Sequence, residues 1–387
     1  MSTFFLIRLL IASLLSILII SGCKKDNPSP DPVFDSLAEE LDYLTEKYVK
    51  MGAAIGIIDL NQQQHEFYYG SLSSQNSNPP NAHSVFEIGS ITKTFTTTLL
   101  ADMILEGKIH LEDTVENLLT AGEVNIPSWN GKVINIEHLA THTSGLPKSP
   151  QASGYPLPPG FDSYNPYSVY THEHIYEYLT SYCSLLYEPG TQYSYSNTGV
   201  GLIGHILGLA DSTSYEELVA KEIFNALNMY ETSLNLTDEQ LTNLAHGHTD
   251  QIISAKNYTA NDIFQGAGFI KSSLHDMLLY LNAQMGLVET SLRDAVDLAL
   301  QPLFNVGQVT YDGREGVYNL SIGLGWHIEE LTEGYTFHWH GGRTLGYMAY
   351  IGFNRSTTAG VVILCNQSSP GVITGFGGEV MKAIHKY

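Results

Sequence analysis

Residues 35–50, DSLAEELDYLTEKYVK, repeat apolar side chains at helical spacing and predict an amphipathic helix. Two short apolar runs follow, GAAIGIIDL at 52–60 and QHEFYYG at 64–70, divided by a polar turn; they predict strands. The run FEIGSITKTFTTTLL (86–100), apolar and studded with threonine, predicts a buried helix ending near Gly107. From about 110 to 280, helical patterns such as 214–227 alternate with loops. One stretch there, PKSPQASGYPLPPGFDSYNPYSVY (147–170), is rich in proline, glycine and tyrosine and reads as a long surface loop, either functional or a mere insertion. The pattern then returns to strands in LGWHIEEL, TFHWHGG, MAYIGFN and GVVILCN, and 372–386 predicts a closing helix. Strands at both ends with helices between them predict a mixed α/β (α+β) fold. One sheet is assembled from distant segments, and a helical subdomain is inserted at about 110–280.

The first 23 residues, MSTFFLIRLLIASLLSILIISGC, have the form of a secretory signal: Arg8, a long apolar stretch, then Ser21-Gly22-Cys23. They resemble a bacterial lipoprotein signal, because the cysteine follows a lipobox-like IISG. That resemblance implies cleavage after residue 22, acylation of Cys23 and an extracytoplasmic, membrane-anchored protein; an uncleaved signal anchor is the alternative. Residues 23–34 read as a polar, proline-rich tether and 35–387 as one folded domain. The 387 residues are 43% hydrophobic and 15% charged, which is globular. A formal charge of -22 repels nucleic acid and anionic membrane surfaces, so neither is an expected partner. Cys183 and Cys365 fall in a helix and at a strand end, and read as unpaired thiols even where an oxidising compartment permits a bridge.

Ser90 and Lys93 are three residues apart, so a helix presents them side by side. A serine needs a base to take its proton, and a buried lysine loses its own readily enough to serve. The spacing alone decides little: Ser21 and Lys24 share it, and Ser90 also fits an N-cap. Tyr195 and Asn197 follow a proline-glycine turn, a phenol able to relay a proton and an amide able to hold a carbonyl or N–H. Tyr280 and Asn282 repeat that spacing within a plain amphipathic helix and read as structural. His340 precedes Gly341 and Gly342 on a predicted strand, where glycines let a ligand approach backbone N–H groups.

In this order, Ser-x-x-Lys, Tyr-Ser-Asn and His-Gly-Gly resemble the penicillin-recognising serine hydrolases: class C β-lactamases, D-alanyl-D-alanine carboxypeptidases and related esterases. LATHTSGLP (139–147), IFNALNMYETSL and GAGFIKSSLHDML resemble further stretches of that family, so the likeness spans about 37–386. It implies a β-lactamase/transpeptidase-like fold, with an antiparallel sheet flanked by helices, and an acyl-enzyme on Ser90. Lys93 and Tyr195 would move its proton, Asn197 would orient the substrate, and His340 would belong to the catalytic set. The oxyanion would lie between the backbone N–H groups of Ser90 and Arg343, beside Gly341 and Gly342. The implied substrates are a D-amino-acid peptide such as a cell-wall stem, then a small ester, then a β-lactam; a non-catalytic penicillin sensor is the rival.

The third box departs from the commoner Lys-Thr-Gly. An imidazole at 340 is mostly neutral at pH 7 and lacks the permanent cation a substrate carboxylate would meet, a charge Arg343 could supply. His142 reads as a hydrogen-bonded structural residue. Three His-x-His pairs (172/174, 246/248, 338/340) have strand-type metal spacing without further ligands at compatible spacing, so no metal is expected. No phosphate-cradling loop is present and no cofactor is implied.

Overall fold

GAAIGII, MAYIGFN and AGVVILC carry almost no charged residue because each is buried along its whole length, on both faces of a sheet. The computed structural model describes residues 32–119, 124–311, 314–330 and 335–387; the signal-like segment and Cys23 lie outside them. Residues 36–387 form one compact unit. In chain order the strands among the described residues are β1 (Gly52–Ile58), β2 (Gln64–Gly70), β3 (Val85–Glu87), β4 (His248–Thr249), β5 (Lys271–Ser273), β6 (Phe304–Tyr311), β7 (Arg314–Ile322), β8 (His327–Glu330), β9 (Thr336–Arg343), β10 (Met348–Asn354), β11 (Ala359–Cys365) and β12 (Gln367–Ser368).

Eight of them make the main sheet in the order β2-β1-β11-β10-β9-β8-β7-β6. All its pairs are antiparallel. The N-terminal hairpin therefore docks on the last long strand, with Ile55 opposite Ile363. Alternation sorts the side chains between two cores. Ile55, Ile57, Val361 and Ile363 meet α1 (Leu37–Tyr48) and the closing helix Val372–Lys386 through Leu41, Leu44, Phe376 and Val380. Ala54, Ile58, Val362 and Leu364 face the helical part. Each fully buried aliphatic side chain contributes roughly 1.5–3 kcal/mol, so burial on two faces makes the central strands the most strongly specified part of the chain.

The strands β6 and β7 are absent from the sequence reading. β6 alternates half-buried with exposed positions, and the pairing of β6 with β7 breaks register at Asn305/Gly307 and Val309/Tyr311. A bulged edge of this kind leaves no continuous apolar run to detect. Helix α2 (Thr92–Leu105) does run where its sequence predicts, and Gly107 beyond it takes a left-handed φ of 71°. Its threonines are buried, and their hydroxyls are satisfied locally or across the core: Thr98 bonds Thr94 O (2.8 Å), Thr96 bonds Gly266 O (2.7 Å), and Thr97 bonds Leu324 O (2.8 Å). Tyr280 stacks on Phe95 and donates to Thr94 Oγ1 at 3.0 Å, a structural tie. Loop 147–170 is only partly on the surface, because Tyr155 and Tyr170 are buried. Cys183 and Cys365 are free thiols.

Candidate active site

Ser90 sits in a single 3-10 turn, Gly89–Ile91, wedged between β3 and α2. The turn has no side-chain cap, so Ser90 is not spent as an N-cap. Its conformation demands glycine at 89: φ is 51°, and a Cβ there would lie 2.6 Å from Arg343 N. Glycine is equally demanded at 342, where a Cβ would lie 1.9 Å from Ile88 O and 3.2 Å from Ser90 N. Two bare backbones thus run in contact, and the end of β9 is held against the peptide that carries the serine. Gly341 faces the other way, towards Ile373 and Thr374 of the closing helix.

Lys93, in the first turn of α2, is completely buried. Its Nζ bonds Ser90 Oγ at 3.2 Å and donates to Ala267 O. Burial first, and repulsion from Lys148 second, hold the amine well below the usual lysine range. Once deprotonated, an amine that gives one hydrogen to Ala267 would keep its lone pair for the serine hydroxyl.

Tyr195 stands over this pair, its ring centroid 4.9 Å from Lys93 Nζ. The residue is partly exposed, but its hydroxyl is buried and has no partner at strict hydrogen-bond geometry. Burial raises the phenol above its ordinary range, while hydrogen bonding with Ser90 pulls the other way. The hydroxyl thus lies near Ser90 without forming a well-aligned hydrogen bond. Ser196, between Tyr195 and Asn197, is structural: it caps helix Asn197–Asp211 through Gly199 N (3.1 Å) and donates to Pro147 O (2.9 Å). His142, at a left-handed φ of 58°, accepts from Ser194 N on its carbonyl (2.8 Å) and from Ser196 N on Nδ1 (3.2 Å). The stretch LATHTSGLP is thus the clamp that aims Tyr195 and Asn197.

Asn197 gives Nδ2 to Tyr167 OH at 2.7 Å, and its buried Oδ1 has no partner. Tyr167 comes from loop 147–170, which brings that loop into the site. Ser90, Tyr167, Asn197, Tyr258, Phe264, Ala267, Phe269 and exposed Arg343 line a small cleft. Ser90, Asn197 and Arg343 face it, and Lys93 and Tyr195 stand behind Ser90 without lining it. His340 does not line it. It is 2% exposed and lies behind Tyr195 at 6.4 Å between ring centroids, and 5.1 Å from His327. Burial first, then His327 and Lys93, hold its imidazole well below the usual range, so it brings no charge to the cleft.

The aromatic wall of Tyr258, Phe264 and Phe269 and the buried imidazole His327 were not foreseen, and no local spacing marks them. Glu87 was missed too. It is 3% exposed, pushed to about 7 chiefly by burial, and accepts Tyr258 N–H at 2.6 Å, so it fixes one wall of the cleft. A larger recess of ≈ 1550 Å³ beside His172, His205 and Asp262 holds none of these groups. The three His-x-His pairs do not gather a metal-binding group among the described residues.

The family model Beta-lactamase matches residues 37–380. This chain belongs to that family and is a serine hydrolase of it. It is 26% identical over 367 residues to a beta-lactamase of Pseudomonas fluorescens, across 86% of this chain and 92% of that one. It is 30% identical over 231 residues to the D-alanyl-D-alanine-carboxypeptidase/endopeptidase AmpH of Escherichia coli, across 59% of this chain and 56% of the relative. Its fold is similar to that of a class C beta-lactamase (TM-score 0.74, 21% identity, 91% and 95% of the two chains). It is likewise similar to that of a beta-lactamase/D-alanine carboxypeptidase from Yersinia pestis (0.74, 22%, 90% and 99%).

Proposed function

We propose that the protein cleaves the terminal amide of D-alanyl-D-alanine-type peptides through an acyl-enzyme on Ser90. The observation that carries this reading is the buried Lys93 amine, 3.2 Å from Ser90 Oγ and with its proton affinity lowered by desolvation. Ser90 Oγ attacks the carbonyl as its proton passes to Lys93, with the Tyr195 hydroxyl bridging to the leaving amine. The C–N bond breaks, the protonated amine departs, and water activated by the same pair returns Ser90 to its starting state. The oxyanion is received by the N–H groups of Ser90 and Arg343, whose backbones Gly89 and Gly342 press together. Asn197 Oδ1, buried and unpaired, accepts an N–H from the acyl side, and the Arg343 guanidinium meets the terminal carboxylate. Relatives named as beta-lactamase and as D-alanyl-D-alanine-carboxypeptidase support the substrate class.

Small esters are the second reading, favoured by the aromatic wall of Tyr167, Tyr258, Phe264 and Phe269 around a small cleft. A D-alanyl-D-alanine peptide, a short-chain ester and a chromogenic cephalosporin assayed side by side, with Ser90→Ala as control, decide between them. Peptide turnover that outlasts loss of the Ser90 hydroxyl ends the acyl-enzyme proposal. Ester turnover without peptide turnover promotes the second reading. The export signal and Cys23 anchor belong to the same proposal, and radiolabelled palmitate incorporation that vanishes in Cys23→Ser tests them.

A further inference from the structure

Away from the cleft, four chemistry-bearing side chains meet at the outer end of the short ladder in which β3 pairs with β5. There Val85 faces Ser273, so the chain entering β3 and the helix leaving β5 start side by side. His83 lies just before β3, and His275 and Asp276 lie in the first turn of helix Leu274–Met285. His275 N bonds Ala82 O at 2.9 Å and ties the two entrances. Glu231 reaches the same point from the loop after Met229.

His83 Nδ1 is 2.7 Å from Glu231 Oε1, and His275 Nδ1 is 3.1 Å from Asp276 Oδ1. The two imidazoles are 5.5 Å apart, centroid to centroid. One ligand atom from each of Glu231, His275 and Asp276 falls within 4.8 Å of the others. The remaining carboxylate oxygens are already occupied. Asp276 Oδ2 accepts from Glu231 N (2.7 Å) and Thr232 Oγ1 (2.8 Å), and Glu231 Oε2 accepts from Ser273 Oγ. These are outer-shell bonds that orient ligating carboxylates and leave one oxygen of each pointing at an imidazole. Asp276 is 1% exposed, and among the described residues no lysine or arginine is paired with it or with Glu231. Two acids are thus gathered, one of them buried, with only imidazoles facing them.

We propose that His83, Glu231, His275 and Asp276 form a structural binding site for a zinc-like divalent cation. Neighbouring ligand atoms around tetrahedral zinc stand about 3.3 Å apart, given bonds of about 2.0 Å. The imidazole–carboxylate pairs are already at 2.7 and 3.1 Å, so a metal would widen each pair slightly, while side-chain rotation draws the two pairs, His83 included, towards each other from separations of up to 4.8 Å or more. Two nitrogens with two oxygens suit zinc, or cobalt and nickel, over calcium or magnesium, which take all-oxygen shells. The ion would staple the entrance of β3, the Glu231 loop and the start of helix Leu274–Met285. It would brace the ladder whose far end carries Ser90, without touching substrate. No spacing in the chain announces the group, because its members are drawn from three distant segments.

The test uses untagged full-length protein, chelator-treated and then titrated with Zn²⁺ by calorimetry and by thermal unfolding. Binding near one ion per chain and a zinc-dependent rise in Tm are expected, with no rise in Mg²⁺ or Ca²⁺. His83→Ala and His275→Ala, both at solvent-exposed side chains, should each weaken affinity ~10-fold or more while leaving the zinc-free Tm nearly unchanged. Absence of zinc uptake by the wild type overturns the proposal. So does uptake that is equal in the double variant, which would place the ion elsewhere, as on His172 and Asp262.

Discussion

Lys93 and Tyr195 divide the proton work by their surroundings. Both are deprived of water, and deprivation acts oppositely on the two: it strips the ammonium of its proton and keeps the phenol's in place. In the proposed reaction this suits the amine to act as base and the phenol as a neutral relay. Removing that relay should lower kcat and leave substrate binding nearly untouched: Tyr195→Phe is expected to lose roughly 10²–10⁴-fold in kcat with KM little changed. Steady-state kinetics check this, and equal kcat would take the tyrosine out of the mechanism. Arg343 is exposed at the rim of the cleft, where its charge is available to substrate. Arg343→Ala should raise KM about 10-fold or more for a peptide with a free C-terminal carboxylate and leave a neutral ester unaffected. The same loss on both substrates would mean that the arginine acts through the fold. His340 is a different kind of residue. It is buried beside Tyr195 and His327, and like Lys93 it stands behind the cleft surface.

At the scale of elements, the site is a junction between the edge-on turn Gly89–Ile91 and the end of β9. Its precision depends on two missing side chains. A methyl on Gly342 would overlap Ile88 O and push Arg343 N away from Ser90 N. Gly342→Ala is therefore expected to slow acylation by roughly 10²–10³-fold, the usual effect of losing one oxyanion donor, while Ser90 and Lys93 stay intact. Fluorophosphonate labelling rates compared with far-UV circular dichroism separate lost geometry from lost fold. Legibility in the sequence followed burial. Strands β1, β10 and β11 are enclosed on both faces and so read as continuous apolar runs, and helix α2 is buried over most of its length. The strands β6 and β7 lie at the open edge, bulged and half-wet, and carried no such run. The loop 147–170 looked equally like an insertion, and only the Tyr167–Asn197 hydrogen bond distinguishes it.

Across the whole molecule, the buried imidazoles tie stability to pH. His142 and His340 are held well below the ordinary range and His327 near 4, burial being the first cause for each. Unfolding returns them to about 6.5, so below that pH the unfolded chain binds more protons than the folded one. Stability should fall as pH drops from about 6.5 towards 4; for His327 alone the interval is worth about 3 kcal/mol. Glu87, raised to about 7, and Asp276, also raised, act with the opposite sign, since the folded state holds their protons more tightly. His138 and His338, both near 4, and the lowered His205 add to these three imidazoles against the raised carboxyls of Glu87, Asp102 and Asp276, so Tm measured between pH 7 and 5 is expected to decline, less steeply in His327→Phe. A flat or rising profile would mean that the carboxyls dominate. By itself the sequence determined most of the element order, because burial is written locally as apolar runs, and its likeness to a family singled out Ser90, Lys93 and Tyr195 as candidates. Only tertiary structure decided that Ser90 meets Arg343 N, that Tyr167 closes on Asn197, and that His83, Glu231, His275 and Asp276 share one corner. Those contacts join segments far apart in the chain, and an antiparallel sheet that pairs its first strands with its last brings them together through long-range register.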